Sequence, residues 1–119
     1  MFNNNIIWNI AHTIVTQQIL VYQLSGLPSM VSDDVLERFK KGTQPDGDLS
    51  QAEVNAIRDL LFITIEKTKV DYNNNVFQKF NQYTVSTKST LTKVEEAIDF
   101  NNFHEGIHLG AILALRKFV

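Results

Sequence analysis

Apolar residues near the start of the chain recur at three- and four-residue spacing: Ile7, Ile10, Ala11, Ile14, Val15, Val21 and Leu24. That period predicts an amphipathic helix over 5–25 and not a strand. Asn4 or Asn5 can cap its start, and Ser25-Gly26-Leu27-Pro28 ends it, with Gly just past the last turn and Pro beyond. A short helix follows. Ser32 caps it, Asp33 and Asp34 lie near its positive end, Val35, Leu36 and Phe39 form its apolar edge, and Lys40-Lys41-Gly42 closes it. After a loop over 42–48, Ser50 and Glu53 form a capping box. The stripe Val54, Ile57, Leu61, Ile65, Thr68, Tyr72, Val76 and Phe80 then predicts a helix of about seven turns, with Asn73-Asn74-Asn75 its weakest stretch. Residues 81–90 are polar and turn-like, with Tyr83-Thr84-Val85 briefly extended. Thr92 and Glu95 make a second capping box, from which a last helix runs toward Arg116-Lys117. The pattern is all-α: two long helices, one medium and one short, packed as an antiparallel bundle with a long crossover.

The last helix breaks the amphipathic rule. Ala97, Ile98, Phe103, Ile107, Leu109, Ala111, Ile112 and Leu113 leave it almost no wet side, and a helix apolar nearly all round is expected to be buried. Within it stand His104 and His108, two of only three histidines in the chain. At about 3.6 residues per turn they project from one face. Imidazoles so placed can share one metal ion. The plainer reading is two polar residues on an exposed face. The apolar surroundings favour a buried pair, which needs partners. Cysteine is absent, so a transition-metal site here is built from His with Asp or Glu.

Composition narrows the class. The 119 residues suit one domain, 1–119, with a single core. A formal charge of −2 and the lack of any basic run give no footprint for nucleic acid, so DNA binding is rejected. No apolar run approaches a membrane span, and Met1-Phe2-Asn3-Asn4-Asn5 lacks the basic start of a signal peptide. The absence of Cys fits a reducing compartment. A soluble cytoplasmic domain without nucleic-acid or membrane partners is the expectation.

His104-Glu105-Gly106-Ile107-His108 is also a literal His-Glu-x-x-His, the zinc-protease signature, in which Glu acts as general base. That chemistry usually takes a third ligand downstream. The eleven residues after His108 contain no His, Asp or Glu, and no edge strand is predicted to hold an extended peptide. The protease is the weaker alternative. A third ligand lies more plausibly upstream at His12, on the inner face of the first helix, and a bundle builds its core metal sites from facing helices in this way.

Several segments together resemble the DinB-like (DinB/YfiT) superfamily of bacterial proteins. They are Asn4-Asn5-Ile6-Ile7-Trp8-Asn9-Ile10-Ala11-His12, the Gly26-Leu27-Pro28 exit, Phe39-Lys40-Lys41-Gly42-Thr43, and Phe103-His104-Glu105-Gly106-Ile107-His108-Leu109-Gly110. One His followed far downstream by His-x-x-x-His is the most specific part, and the resemblance covers nearly the whole chain. It implies a four-helix bundle with an open metal site of three His, here His12, His104 and His108. It also implies nickel or zinc as the ion and a homodimer as the assembly. Relatives of known activity include bacillithiol-using thiol S-transferases and mycothiol-dependent isomerases. Familiar members begin with a further helix before the Asn-Asn-Ile-Ile-Trp segment. The expectation is therefore either a truncated sequence or a neighbouring chain that fills that groove.

Three neutral imidazoles leave a divalent ion at least one open position, where it can acidify a bound water or thiol or polarise an electrophile. Glu105 points about 100° around the helix from His104 and faces solvent or orients a neighbour. Asn101, one turn before His104, is the stronger candidate to hold a ligand in place. Asn9 and Trp8 are candidates for the mouth of the site, Trp8 more often serving as a core anchor. Two classes stay open: a metal-dependent hydrolase or thiol transferase acting on a small molecule, and a non-catalytic bundle with structural histidines serving as an interaction module.

Overall fold

A computed structural model describes residues 5–118. Asn4, the alternative cap, lies outside them. Asn5 caps α1 (Ile6–Gln17), its side chain accepting from the Trp8 amide at 2.8 Å. The helix runs on through a π-helical turn, Gln18–Gln23. Gly26 then takes φ +73, its amide bonding to Gln23 O while Leu27 N bonds to Tyr22 O. That pair of bonds closes the helix on a residue in the left-handed region, where Gly meets no Cβ penalty. Gln18, fully buried, accepts from the Met30 amide at 2.8 Å and pins the returning chain.

Ser32 caps α2 (Asp33–Phe39), and the Ser50–Glu53 box starts α3 (Gln51–Asn73). The stripe that predicts a helix as far as Phe80 is cut short. Asn75 sits at φ 58, its amide bonded to Tyr72 O and the next amide, Val76 N, to Asp71 O. Asn tolerates the left-handed region better than most residues and here replaces Gly as the stop. Phe77 turns back onto Tyr22, ring centroids 5.1 Å apart, and Phe80 packs in the same layer.

A two-stranded antiparallel hairpin, β1 (Tyr83–Thr84) and β2 (Thr90–Leu91), spans the crossover. Its Val85 and Leu91 pack against Leu20 and Ala97, so it covers one end of α1 and the start of α4 (Val94–Leu115). The expected Thr92–Glu95 box does not form: Lys93 is the N-cap of α4, and no side chain caps the helix. Thr92 N and Oγ1 both reach Glu96 Oε1, at 2.8 and 2.6 Å, while Glu95 accepts from Tyr72 Oη at 2.9 Å. Glu96 thus holds the residue before the N-cap, while Glu95 is drawn away to the Tyr72 phenol.

The fold is an all-α bundle centred on α1, which packs against both α3 and α4. Trp8, Ala11, Ile14 and Val15 form its main core with Leu36, Phe39 and Ile57. α3 and α4 barely meet each other, and a groove with two cavities of about 440 and 400 Å3 runs between them. The expectation that α4 is buried all round therefore fails. Phe103, Ile107 and Leu109 stand more than half exposed, as does Phe62 on α3, because no described element covers their outer faces. Among the described residues no helix is long and apolar enough to cross a membrane.

Candidate metal centre

α1 and α4 cross where their polar residues face each other. His12 is buried on the inner face of α1, and His104 and His108 are half-buried one turn apart on α4. Each contributes a ring nitrogen, and the three lie within 4.8 Å of one another. The rings crowd accordingly: His12 stands 5.1 Å from His104 and 4.7 Å from His108, centroid to centroid, and His104 stands 4.5 Å from His108.

The hydrogen bonds say which nitrogens face inward. His12 Nδ1 meets Phe39 O at 2.7 Å; a carbonyl only accepts, so Nδ1 carries the proton and Nε2 keeps its lone pair. His108 Nδ1 meets Asn9 Oδ1 at 2.6 Å. Asn9 spends its Nδ2 on Asn5 O at 2.8 Å, so its oxygen accepts and His108 Nε2 is also left bare. This pattern, outer nitrogen donating and inner nitrogen free, is how proteins orient imidazole toward a metal. His104 is held less firmly: its Nδ1 is buried with no hydrogen-bond partner. Its Nε2 lies 3.2 Å from His108 Nε2. Two imidazole nitrogens on one tetrahedral zinc, each at about 2.0–2.1 Å, stand roughly 3.3 Å apart, so the donor set fits a divalent ion.

Burial keeps the cluster neutral. Desolvation, then the neighbouring His108 and His12, push His104 down to about 4. Desolvation and His12 take His108 to about 4 as well. His12 is lowered by desolvation, opposed by its bond to Phe39 O. Neutral imidazole is the form that ligates.

Trp8 is a core anchor and not part of a mouth. It lies flat on His12, centroids 4.6 Å apart and planes 10° off parallel, and donates Nε1 to Thr43 Oγ1 at 3.2 Å. Asn9 likewise does not line a mouth; it is fully buried and holds His108. Asn101, expected to orient a ligand, instead donates Nδ2 to Glu105 Oε1 at 3.1 Å, leaving its own Oδ1 buried without a partner. Glu105 faces the groove between α3 and α4, on a different wall from the triad, and burial raises its pKa against the Asn101 bond. A general base for a zinc protease has no counterpart in that placement.

Four contributors escape the sequence pattern. The Phe39 carbonyl has no side-chain signature. Thr43 comes to the site on the loop after α2, and Tyr83 and Val85 only through the crossover hairpin. The spacing of Asn9 three residues before His12 was visible, but which ring it serves depends on how α4 crosses α1.

A family model described as the DinB superfamily matches residues 1–112. No curated protein and no solved structure matches the chain.

Proposed function

The chain belongs to the DinB superfamily, and from that membership and its convergent imidazoles we propose a divalent-metal-dependent enzyme of the hydrolase or thiol S-transferase kind. The observation that carries the reading is the triad itself: three ring nitrogens within 4.8 Å, two of them turned inward by bonds to Phe39 O and Asn9 Oδ1. His12, His104 and His108 are the proposed ligands. All-imidazole donors of this kind suit zinc or nickel. When bound, the ion supplies a Lewis-acidic centre with an open position, since three protein ligands do not complete its coordination.

The chain's own residues do the rest. Phe39 O and Asn9 hold two rings in the ligating tautomer. Trp8 shields His12 from water on one face, and the Val85–Leu91 layer closes the end of the bundle near His104. We also propose that a second copy of the chain covers the exposed apolar faces of α3 and α4, supported by Phe62, Ile65, Ile107 and Leu109, each about half exposed or more. Elemental analysis of protein purified without a histidine tag tests the metal reading. One zinc or nickel ion per chain, lost in His12→Ala, is the expected result; full-length folded protein that takes up neither ion under saturating conditions overturns it.

A further inference from the structure

Beside His12 and His104 lies a cavity of about 320 Å3, at the small end of the range for ligand sites. Its walls divide by chemistry. Ile19, Leu20, Val85 and Phe100 make one side apolar. Lys40 and Lys41 supply the charge, and no Asp or Glu is among the described residues that line it. Lys40 is already engaged, its Nζ 2.7 Å from Glu37 Oε2. Lys41 makes no ion pair among the described residues.

The segment that carries these lysines is held to α1 at two points and braced by a bond of its own. His12 Nδ1 donates to Phe39 O, Trp8 Nε1 donates to Thr43 Oγ1, and Thr43 Oγ1 donates to Lys40 O at 2.7 Å. Gly42, at φ +89, makes the turn between them in a region that L side chains rarely adopt. Phe39-Lys40-Lys41-Gly42-Thr43 is thus a strap that orients one imidazole with its carbonyl and presents cations with its side chains.

Charge then selects the occupant. The two imidazoles that line the cavity bring no negative charge in either protonation state, and neither do its other described walls. A cation-lined pocket with one apolar side attracts an anion that carries an apolar body, and the low-dielectric wall strengthens the attraction. We propose that this cavity binds a small amphipathic carboxylate, with Lys41 recognising its charged end and Ile19, Leu20, Val85 and Phe100 holding its apolar part. The inference rests on the metalloenzyme reading for the identity of the site as a substrate pocket, but Lys41 acts without the ion.

The test is a calorimetric titration of 4-phenylbutyrate and its neutral amide, 4-phenylbutyramide, into metal-loaded and metal-free full-length protein. The carboxylate should bind more tightly than the amide in both forms, by about tenfold or more once zinc is bound. Lys41→Gln should weaken the carboxylate roughly fivefold and leave the amide unchanged. Lys41 is exposed, so the variant keeps the fold. Equal binding of the two probes in both forms overturns the inference, and so does a carboxylate preference that Lys41→Gln does not reduce. If the protein takes up no metal, the metalloenzyme reading falls by itself, and the metal-free titration still decides the role of Lys41.

Discussion

His108 donates its Nδ1 proton to Asn9 Oδ1 at 2.6 Å, joining residues 99 positions apart in the chain. The bond ties the last helix to the first and fixes which nitrogen of His108 faces the triad. Removing such a partner typically weakens metal binding by about 10–100-fold. Asn9→Ala should therefore lower zinc affinity by roughly that factor, measured by competition with a chromophoric chelator. Asn9→Asp keeps an acceptor for the Nδ1 proton and should recover most of the loss. Wild-type affinity in Asn9→Ala would remove Asn9 from the site.

The ligands come from both ends of the chain, so metal binding should stabilise the whole fold. At free zinc about a hundred times the dissociation constant, the gain is about 2.7 kcal/mol. For a domain of this size that corresponds to a rise in melting temperature of roughly 10 °C. His12→Ala and His108→Ala should each abolish the rise. Glu105→Ala should keep it, because Glu105 faces the groove and bonds Asn101. Scanning calorimetry across a zinc series reads all three; loss of the gain in Glu105→Ala with its survival in His12→Ala would replace the triad by a site confined to α4.

Much of this arrangement is legible in the sequence because it rests on short-range rules. Gly26 and the Ser50–Glu53 box act within one turn, and the four-residue spacing of His104 and His108 needs only helical geometry. The misreadings have a common cause: each depends on a competitor elsewhere in the chain. Asn75 stops α3 although the apolar period continues through Val76 and Phe80, because a local left-handed turn outweighs periodicity. Tyr72 takes Glu95, and Thr92 bonds Glu96 ahead of an N-cap, Lys93, that has no side-chain partner. The apolar circumference of α4 suggested burial, but burial requires a neighbour, and α3 lies too far round α1 to provide it. Asn101 and Asn9 are both plausible supports on paper; only the crossing of α1 and α4 chooses Asn9.

That uncovered surface leads to a prediction about assembly. Ile65 on α3 and Leu109 on α4 line the same groove, 49% and 57% exposed, and Phe62, Phe103 and Ile107 extend the patch. A second copy that buries this surface gives a homodimer. Sedimentation velocity should show a dimer at low micromolar concentration, and Ile65→Glu or Leu109→Glu should shift it to monomer without loss of metal. A wild-type monomer at high micromolar concentration would count against the second copy.

The last prediction concerns pH, where stability and metal affinity should part company. In the metal-free fold, His104 and His108 are pushed down to about 4, while the same groups in the unfolded chain titrate near ~6.5. Between those values the unfolded chain binds more protons than the fold. Stability must therefore fall as pH drops from about 6.5 toward 4, and level off for these groups below that. Glu105 opposes the trend, since its raised pKa makes the fold the better proton binder above the ordinary carboxylate value. Asp71 adds little to the change between pH 7.5 and 5.0: desolvation is outweighed by Lys67 and Tyr22, which hold it low, so its stabilisation is still present at pH 5 and is lost only as pH falls through the carboxylate range. Urea denaturation at pH 7.5 and 5.0 should show a loss for the metal-free wild type and a smaller loss for His104→Asn/His108→Asn. Zinc affinity should behave differently. Protons compete with the ion only when they bind the folded ligands, so competition from His104 and His108 should set in steeply only near 4, with more than one proton taken up per ion released. A steep loss already at pH 6, with the protein still folded, would mean that the rings titrate as if exposed and that burial does not keep the triad neutral.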